Sequence, residues 1–200
     1  MRVNARFLRS AVDAAHFPPV GPPEIAFLGR SNVGKSSLIN SLLGEKMART
    51  SSTPGRTRMI NFFEVRRPGK PHAEWLFADL PGYGYAKLPR EQTAEWPKFI
   101  EPYLQDRESL VLCIVLVDAN IPPQTTDRQL VAWLNHQLRP FLLVATKSDR
   151  MSGNELAVAL RRLGHEHGDI PVVAFSAKTG AGRDELWSWI QQSAEKHGTV

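Results

Sequence analysis

Eight consecutive residues, GRSNVGKS at positions 29–36, constrain the fold of this chain more than any other feature of its sequence. They match the pattern G-x-x-x-x-G-K-[ST], in which the glycines let the backbone wrap around phosphate groups and the lysine reaches the β- and γ-phosphates. The apolar segment Glu24–Gly29 predicts a strand before the motif, and Lys35–Leu43 predicts a helix after it. The sequence therefore predicts a phosphate-binding loop that leads into the N-terminus of a helix.

Apolar segments of strand length alternate with segments of helical periodicity along the rest of the chain. The further predicted strands are residues 59–65, Trp75–Asp79, Leu110–Asp118, Phe141–Thr146 and residues 172–176, and the further predicted helices are residues 91–104, 125–137, 154–165 and 183–195. Continuous apolar strands indicate burial on both faces, as in a parallel sheet between two helix layers. We therefore predict an α/β fold of the P-loop NTPase class, with a doubly wound, mostly parallel six-stranded sheet and helices on both faces.

Residues 1–23, before the first strand of the predicted nucleotide-binding domain, begin with a basic segment. Three arginines and no neighbouring acid lie in residues 1–12, which faintly resembles an organelle transit peptide. The apolar residues of the same segment instead predict a short edge element that leads into Pro18 and Pro19. We predict a leader at residues 1–23 and one nucleotide-binding domain at residues 24–200, which suits a chain of 200 residues.

Composition narrows the possible environments and partners. The single cysteine, Cys113, cannot form an internal disulfide and lies in an apolar segment, which predicts a buried thiol in a reducing cytoplasm. No apolar stretch approaches the roughly 18 residues of a membrane span, so we expect no membrane association. The net charge is +5, and the excess of Lys and Arg lies in residues 1–100. Such an excess favours a polyanionic partner such as RNA, although a solvated basic face is the alternative.

A second motif separates guanine from adenine nucleotides. Thr146, Lys147, Ser148 and Asp149 end or follow a predicted strand and form a variant of the pattern N-K-x-D, with Thr in the first position. The Asp149 carboxylate can accept two hydrogen bonds from guanine, and the stem of Lys147 would lie along the base. Adenine offers no such pair of donors, so it would leave the carboxylate unpaired. This motif predicts GTP and GDP as the ligands.

A third motif, Asp79-Leu80-Pro81-Gly82, follows another predicted strand and fits D-x-x-G. In this pattern the Asp holds Mg²⁺ through water and the Gly N–H meets the γ-phosphate. A fourth, shorter segment follows the last predicted strand. It contains Ser176 and Ala177, and the backbone N–H of Ala177 could meet guanine O6.

The predicted magnesium ligands are oxygen atoms, as this cation prefers. Ser36 supplies a hydroxyl from the phosphate-binding loop, and Asp79 contributes through water. A second hydroxyl is expected from the polar segment between the first helix and the next strand. Thr57 is the favoured residue there, with Thr53 and Thr50 as rivals.

The order and spacing of these motifs are typical of Ras-like GTPases, and longer stretches around them point to one family. The segments GRSNVGKSSLINSL, SSTPGRTRMINFF, DLPGYGYAK, TKSD and FSAKTG, together with the leader FLRSAVDAAHFPP, resemble the EngB/YihA/YsxC family of bacterial ribosome-biogenesis GTP-binding proteins. The resemblance covers nearly the whole chain. It implies a Mg²⁺-dependent GTPase that acts as a nucleotide switch in assembly of the large ribosomal subunit and is needed for normal cell division and septation.

The resemblance also implies a set of site residues and partners. The implied nucleotide contacts are Gly29, Arg30, Ser31, Asn32, Val33, Gly34, Lys35, Ser36, Ser37, Gly55, Arg56, Thr57, Arg58, Met59, Asp79, Leu80, Pro81, Gly82, Thr146, Lys147, Ser148, Asp149, Phe175, Ser176 and Ala177. The implied metal sites are Ser36, Thr57 and Asp79, and the implied partner is the ribosomal RNA of the large subunit. We expect a cytoplasmic monomer with no DNA partner.

The residue after the D-x-x-G glycine bears on the rate of hydrolysis. Ras-type enzymes place a Gln there to orient water, whereas this chain has Tyr83, whose pKa of about 10 makes it no base at neutral pH. We therefore predict slow hydrolysis, with catalytic contributions from Lys35, Asn32, Thr57 and Gly82. Asn32 is a candidate to hold K⁺ beside the phosphates and so stimulate turnover, and the alternative is that it only caps the local backbone.

Three other functions stay open at this point. The first is a module that binds GTP without useful hydrolysis. The second is a P-loop ATPase or nucleotide kinase, and the third is a GTPase of another pathway, such as tRNA modification or iron transport. We also predict that His165 and His167 are surface residues and that they form no metal site.

Overall fold

The computed structural model describes residues 1–48, 59–83 and 100–197. The strands in these residues are β1 (Asn4–Ala11), β2 (Glu24–Gly29), β3 (Ile60–Arg66), β4 (Trp75–Asp79), β5 (Leu110–Asp118), β6 (Phe141–Thr146) and β7 (Val172–Ala174). The helices are α1 (Lys35–Leu43), α3 (Thr125–His136), α4 (Gly153–Glu166) and α5 (Arg183–His197), and α2 is described over residues 100–106.

All seven strands form one sheet in the order β1-β3-β4-β2-β5-β6-β7. The pairs β1–β3 and β3–β4 are antiparallel, and the four remaining pairs are parallel. The predicted doubly wound, mostly parallel α/β fold is therefore confirmed, but the sheet has seven strands rather than six. The additional strand is β1, which pairs along the whole of β3, so the leader contributes an edge strand to the same sheet. The predicted division at residue 23 stays a prediction.

Two apolar layers cover the sheet, one on each face. The first contains Phe27 and Phe77 from the sheet together with Trp187 from α5 and Leu38 from α1. The second contains residues of α2, α3 and α4 packed on the opposite side chains of the same strands. Strand β5 is buried along its length up to Asp118. Cys113 in this strand is fully buried, as predicted, and burial raises the pKa of its thiol to about 12.

The parallel strands place five of their carboxyl ends along one edge of the sheet. Ligands of open α/β sheets bind in the crevice beyond such ends, at the point where neighbouring connections run to opposite faces. Here β2 lies between β4 and β5, so the phosphate-loop motif follows the fourth and central strand of the seven-stranded sheet. The motif after β6 lies two strands away on the same edge.

A buried polar cluster lies at the other end of β2, around Glu24. This fully buried carboxylate accepts hydrogen bonds from Tyr103 at 2.9 Å, from Ser109 at 2.8 Å and from Arg107 Nε at 2.8 Å. Arg107 also donates to the main-chain oxygen of Pro18 at 2.8 Å. Because a buried charge is tolerated when it is paired and hydrogen-bonded, this cluster fixes the end of α2 to the strand and to the leader.

No helix in the described part of the chain is both long and apolar enough to span a membrane.

Candidate nucleotide-binding site

The phosphate-binding loop connects β2 to α1 in a tight turn. A side chain at Gly29 would place its Cβ 2.8 Å from Val33 Cγ1, so the close packing of the turn requires glycine there. Gly34 precedes α1 with a φ of 109°, a conformation that glycine adopts readily. Asn32 adopts a left-handed conformation with a φ of 65°, which Asn tolerates better than most residues. The turn leaves Lys35 as the first residue of the helix.

Lys35 forms an ion pair with Asp79, so the phosphate-loop motif and the D-x-x-G motif meet through their charged residues. Both side chains are largely buried, at 11% and 7% exposure. Asp79 reaches this position because β2 and β4 pair in parallel, with Phe27 opposite Asp79. Ser36, the next residue of α1, is partly exposed. A hydroxyl and a carboxylate beside a phosphate-binding loop are hard oxygen donors of the kind that Mg²⁺ prefers, so the residues present suit this ion.

The segment after β4 is bound to the phosphate loop by its backbone. Tyr83 N donates to the main-chain oxygen of Gly29 at 3.3 Å, and Ser31 N donates to that of Tyr83 at 3.2 Å. Gly82, the residue before Tyr83, packs against the same loop: a Cβ at Gly82 would lie 3.0 Å from Ser31 Oγ and 3.1 Å from Ser31 N. Glycine at this position lets the two backbones lie closer than a side chain would accommodate without a shift of Ser31. The Gly82 backbone is therefore placed directly against the phosphate loop.

Residues at the end of β6 contact the same loop from the other side. The Thr146 hydroxyl donates to the main-chain oxygen of Val33 at 2.6 Å. Lys147, which has a left-handed φ of 58°, donates from Nζ to the main-chain oxygen of Asn32 at 2.9 Å. The two motifs predicted from distant parts of the sequence thus form one site. One nucleotide could contact both.

Asp149 lies at the outer side of this site and is exposed. It accepts a hydrogen bond from the Ser176 hydroxyl at 2.6 Å, and that bond is the main reason why its pKa lies below the usual range. The Ser176 hydroxyl in turn accepts the backbone N–H groups of Lys178 and Thr179, each at 3.2 Å. An ionised carboxylate is the form that accepts hydrogen bonds from the N–H groups of guanine.

The loop after β7 is fixed by main-chain contacts. Ser148 N donates to the Phe175 oxygen at 3.2 Å, which holds the two loops side by side. Gly182 has a φ of 79°, and a Cβ at this residue would clash with the main-chain oxygen of Ala174. The turn therefore depends on glycine. Ala177 is exposed at its tip.

Asp118 is a member of the site that the sequence analysis missed. It ends β5 and accepts a hydrogen bond from Lys147 Nζ at 2.7 Å, while Asn120 donates to it from the backbone and side chain at 3.0 Å. Burial acts to raise the pKa of Asp118, but these donors outweigh it and hold the pKa below its ordinary value. An acid at the end of a buried strand is the same signal that singled out Asp79, and it could have identified Asp118.

The side chain of Tyr83 reaches α3. Its hydroxyl donates to Asp127 Oδ1 at 2.9 Å. Burial, followed by the charge and the hydrogen bond of Asp127, raises the pKa of Tyr83 well above its ordinary value. The phenol therefore stays protonated at neutral pH. Sequence reasoning did not identify Asp127, because no local pattern links it to Tyr83.

Several predicted residues lie outside the described part of the chain. They are Gly55, Arg56, Thr57 and Arg58, with the rival residues Thr50 and Thr53, all within residues 49–58. Met59 is described and is exposed just before β3. The roles predicted for all site residues stay predictions. One prediction about histidines was wrong: His165 is exposed, but His167 is buried. Its Nδ1 donates to the main-chain oxygen of Leu163 at 2.7 Å.

Comparison with known proteins finds similarity to GTPases and GTP-binding proteins in both sequence and structure. Residues 24–147 match the family described as 50S ribosome-binding GTPase. A probable GTP-binding protein EngB of Koribacter versatilis is 60% identical over 194 residues, which cover 97% of this chain and 96% of that protein. The crystal structure of a probable GTP-binding protein engB superposes with a TM-score of 0.67 at 22% identity, over 86% of this chain and 99% of that one. Era in complex with MgGDPNP and nucleotides 1506-1542 of 16S ribosomal RNA gives a TM-score of 0.71 at 25% identity, over 86% of this chain and 56% of Era.

Proposed function

Because this chain belongs to the EngB family of GTP-binding proteins, within the 50S ribosome-binding GTPases, we propose that it binds GTP and GDP with Mg²⁺ and hydrolyses GTP slowly. In this proposal it is a cytoplasmic monomer that acts as a nucleotide switch in assembly of the large ribosomal subunit. Through that role it is needed for normal cell division and septation.

The contact between the phosphate loop and the end of β6 carries the proposal. Thr146 contacts Val33 at 2.6 Å and Lys147 contacts Asn32 at 2.9 Å, so residues suited to phosphate and residues suited to guanine lie within one site. A P-loop ATPase or nucleotide kinase has no need of an exposed, ionised carboxylate at the position of Asp149. Guanine recognition uses such a group directly.

The phosphate end of the site would be held by the loop backbone and by Lys35. When phosphates enter, Lys35 exchanges the Asp79 carboxylate for phosphate oxygens, which leaves Asp79 available to the magnesium shell. Ser36 and Thr57 supply the hydroxyl ligands, and the backbone N–H of Gly82 meets the γ-phosphate. Magnesium, when bound, neutralises charge on the β- and γ-phosphates.

The base end would be read by Asp149, with Lys147 along the plane of the base and the Ala177 backbone at guanine O6. Ser176 positions Asp149 through its 2.6 Å hydrogen bond. Lys147 is itself positioned by Asp118 and by the phosphate loop, so base and phosphate recognition share one side chain.

The partner that we propose is ribosomal RNA of the large subunit. The family description names the 50S ribosome, the solved Era complex holds a segment of 16S ribosomal RNA, and this chain carries a net charge of +5. Lys and Arg side chains bind polyanions by displacing condensed counterions. No DNA or membrane partner is part of the proposal.

A substitution at Asp149 tests the guanine site. We expect Asp149→Asn to weaken GDP binding by at least about 100-fold, because the amide cannot accept both guanine donors. The same variant should bind xanthosine diphosphate, whose base presents an acceptor to the new amide. Titration with fluorescent analogues of both nucleotides measures the change. Asp169→Asn is a matched control, since Asp169 is exposed and its left-handed φ of 57° also suits Asn. GDP affinity that ignores Asp149→Asn would contradict the proposal.

The ribosomal role is tested by co-sedimentation with separated ribosomal subunits. We expect the protein to sediment with the large subunit in the presence of a non-hydrolysable GTP analogue and to be released in GDP. Binding that does not depend on the nucleotide would contradict the switch.

A second candidate, a module that binds GTP with negligible hydrolysis, is favoured by one observation. Tyr83, at the position of the usual water-orienting residue, directs its hydroxyl to Asp127 instead. Single-turnover hydrolysis of bound GTP, with and without large subunits, separates the candidates. Cleavage in either condition supports a GTPase, and intact GTP in both supports the module.

A further inference from the structure

Helix α3 contacts the segment after β4 through one buried carboxylate. Asp127 lies in the first turn of the helix and is only 3% exposed. Its Oδ1 accepts the hydroxyl hydrogen of Tyr83 at 2.9 Å. Tyr83 directly follows Gly82, whose backbone lies against the phosphate loop. The hydrogen bond therefore connects α3 to the neighbour of the residue that would meet the γ-phosphate.

The backbone and side chain of Tyr83 are held by different parts of the fold. Its backbone N–H and carbonyl bond to Gly29 and Ser31 of the phosphate loop at 3.3 and 3.2 Å. Its ring extends to α3, where the hydroxyl is fixed by Asp127. The backbone of Tyr83 is thus fixed to the phosphate loop and its side chain is fixed to α3. Together these contacts hold the adjacent Gly82 in its position beside Ser31.

The surroundings of Asp127 are unusually polar for a buried position. Burial raises the pKa of Asp127, while the Tyr83 hydrogen bond and the charges of Arg30 and His167 act to lower it. Arg30 belongs to the phosphate loop, and its Nε is buried without a hydrogen-bond partner. Nε2 of His167 is also buried without a partner. Buried polar atoms left unpaired reduce stability, so packing alone does not account for this cluster.

We propose that Asp127 is a positioning residue for the GTP-bound state: by accepting the Tyr83 hydrogen bond, it holds the Gly82 backbone where it can meet the γ-phosphate. The inference rests on the proposed function, since GDP lacks the group that Gly82 would contact. Asp127 thus sets the preference for GTP over GDP without touching nucleotide.

The test compares GTP and GDP affinity in variants that remove this bond. Tyr83→Phe keeps the ring and deletes the hydroxyl, and Asp127→Leu deletes the acceptor. We expect each to lower the affinity for a non-hydrolysable GTP analogue by about tenfold, the loss typical of one hydrogen bond to a charged group. GDP affinity should change by less than about twofold. Asp127→Asn keeps an acceptor oxygen and should restore most of the preference.

Tyr103→Phe is the matched control. Tyr103 also donates to a buried carboxylate, Glu24, at 2.9 Å, but at the opposite end of β2 from the phosphate loop. We expect Tyr103→Phe to lower the free energy of unfolding in urea about as much as Tyr83→Phe does. The ratio of its GTP affinity to its GDP affinity should not change. A merely structural role for Asp127 would make the two variants alike in both measurements.

The outcomes separate this inference from the proposed function. Tight GDP binding in Tyr83→Phe, with the GTP preference unaltered, would overturn the positioning role and leave the proposed function intact. Failure of the unaltered protein to bind either nucleotide would overturn both. Should Asp127→Leu not fold, Tyr83→Phe alone decides the question, because it leaves the ring in place.

Discussion

Thr146 donates a hydrogen bond from its side chain to the main-chain oxygen of Val33 at 2.6 Å, and both residues are buried. The two residues belong to motifs far apart in sequence. Their contact fixes the end of β6 to the phosphate loop, and Gly34 lies beside it, where a Cβ would be 3.7 Å from the Thr146 side chain.

Removing this hydroxyl is expected to loosen the phosphate loop. Thr146→Val keeps the shape of the side chain but leaves the buried Val33 oxygen without its donor, at a cost of about 1–3 kcal/mol. We expect a lower free energy of unfolding in urea and weaker GDP binding in equilibrium titration. Thr146→Ser, which retains the hydroxyl, is the control and should stay close to the unaltered protein. Equal stability of the Val and Ser variants would contradict the role of the bond.

A methyl group on Gly82 is expected to separate the two loops. In Gly82→Ala the new carbon would meet Ser31 N at 3.1 Å and Ser31 Oγ at 3.0 Å, so the backbones must move apart. The neighbouring atoms of Ser31 must give by a few tenths of an ångström. Because a displacement near 1 Å can reduce a rate by about 100-fold, we expect a smaller loss, about tenfold, in single-turnover hydrolysis, with GDP binding retained. Gly153→Ala is the control, since nothing lies within 4 Å of the added carbon. Unchanged hydrolysis in Gly82→Ala would be the contrary result.

If Asn32 holds K⁺ beside the phosphates, the rate of GTP hydrolysis should depend on which monovalent cation is present. Hydrolysis should be faster in K⁺ than in Na⁺ at equal ionic strength, and Asn32→Gly should abolish the difference while tolerating the left-handed backbone. Steady-state phosphate release measures both. The alternative is that Asn32 only stabilises the local backbone, since its φ of 65° is a left-handed conformation that Asn tolerates. Equal rates of hydrolysis in K⁺ and Na⁺ would contradict the K⁺ role and favour a role in the local backbone alone.

The pKa of Asp118 predicts how stability changes in acid. Hydrogen bonds from Lys147 and Asn120 hold the pKa of Asp118 below its ordinary value despite burial. In the unfolded chain an Asp titrates at about 3.9. Its ionised form therefore stabilises the fold above that pH, and this contribution is lost as the pH falls through the lower folded-state pKa.

Asp118→Asn removes that contribution. We expect the variant to be less stable than the unaltered protein at neutral pH and to lose less stability between pH 6 and pH 3. Urea unfolding at a series of pH values measures the difference, with Asp169→Asn as the exposed control. Parallel stability curves for Asp118→Asn and the unaltered protein would contradict the assignment.

The elements that sequence predicts best are those buried on both faces. The predicted bounds of strands β2, β4, β5 and β6 coincide with the observed ones, because a continuous apolar run leaves little choice of conformation. The predicted bounds of α1 also coincide, since its apolar residues recur at helical spacing between two glycines. The phosphate loop and the end of β6 carry local signals in the sequence, namely glycines and charged residues at strand ends.

What sequence could not supply depends on contacts between distant segments. The sequence predicts a short edge element before Pro18 but does not identify its partner, which is β3. Strand β1 carries exposed Arg6 and Arg9 and an irregular register near Phe7, as edge strands often do. The bond between Tyr83 and Asp127 depends on how α3 packs on the sheet, which no motif encodes. The burial of His167 has the same origin.

The central place of β2 has a consequence for folding. This strand forms parallel pairs with β4 and β5, whose residues follow it only after long stretches of chain. Such pairings are slow to form, because loop-closure entropy is lost before the contacts are gained. Nucleotide binding should therefore return late in refolding, after helix content has recovered. A fragment that ends before β5 would contain the whole GRSNVGKS motif and still lack a strand needed to shape it.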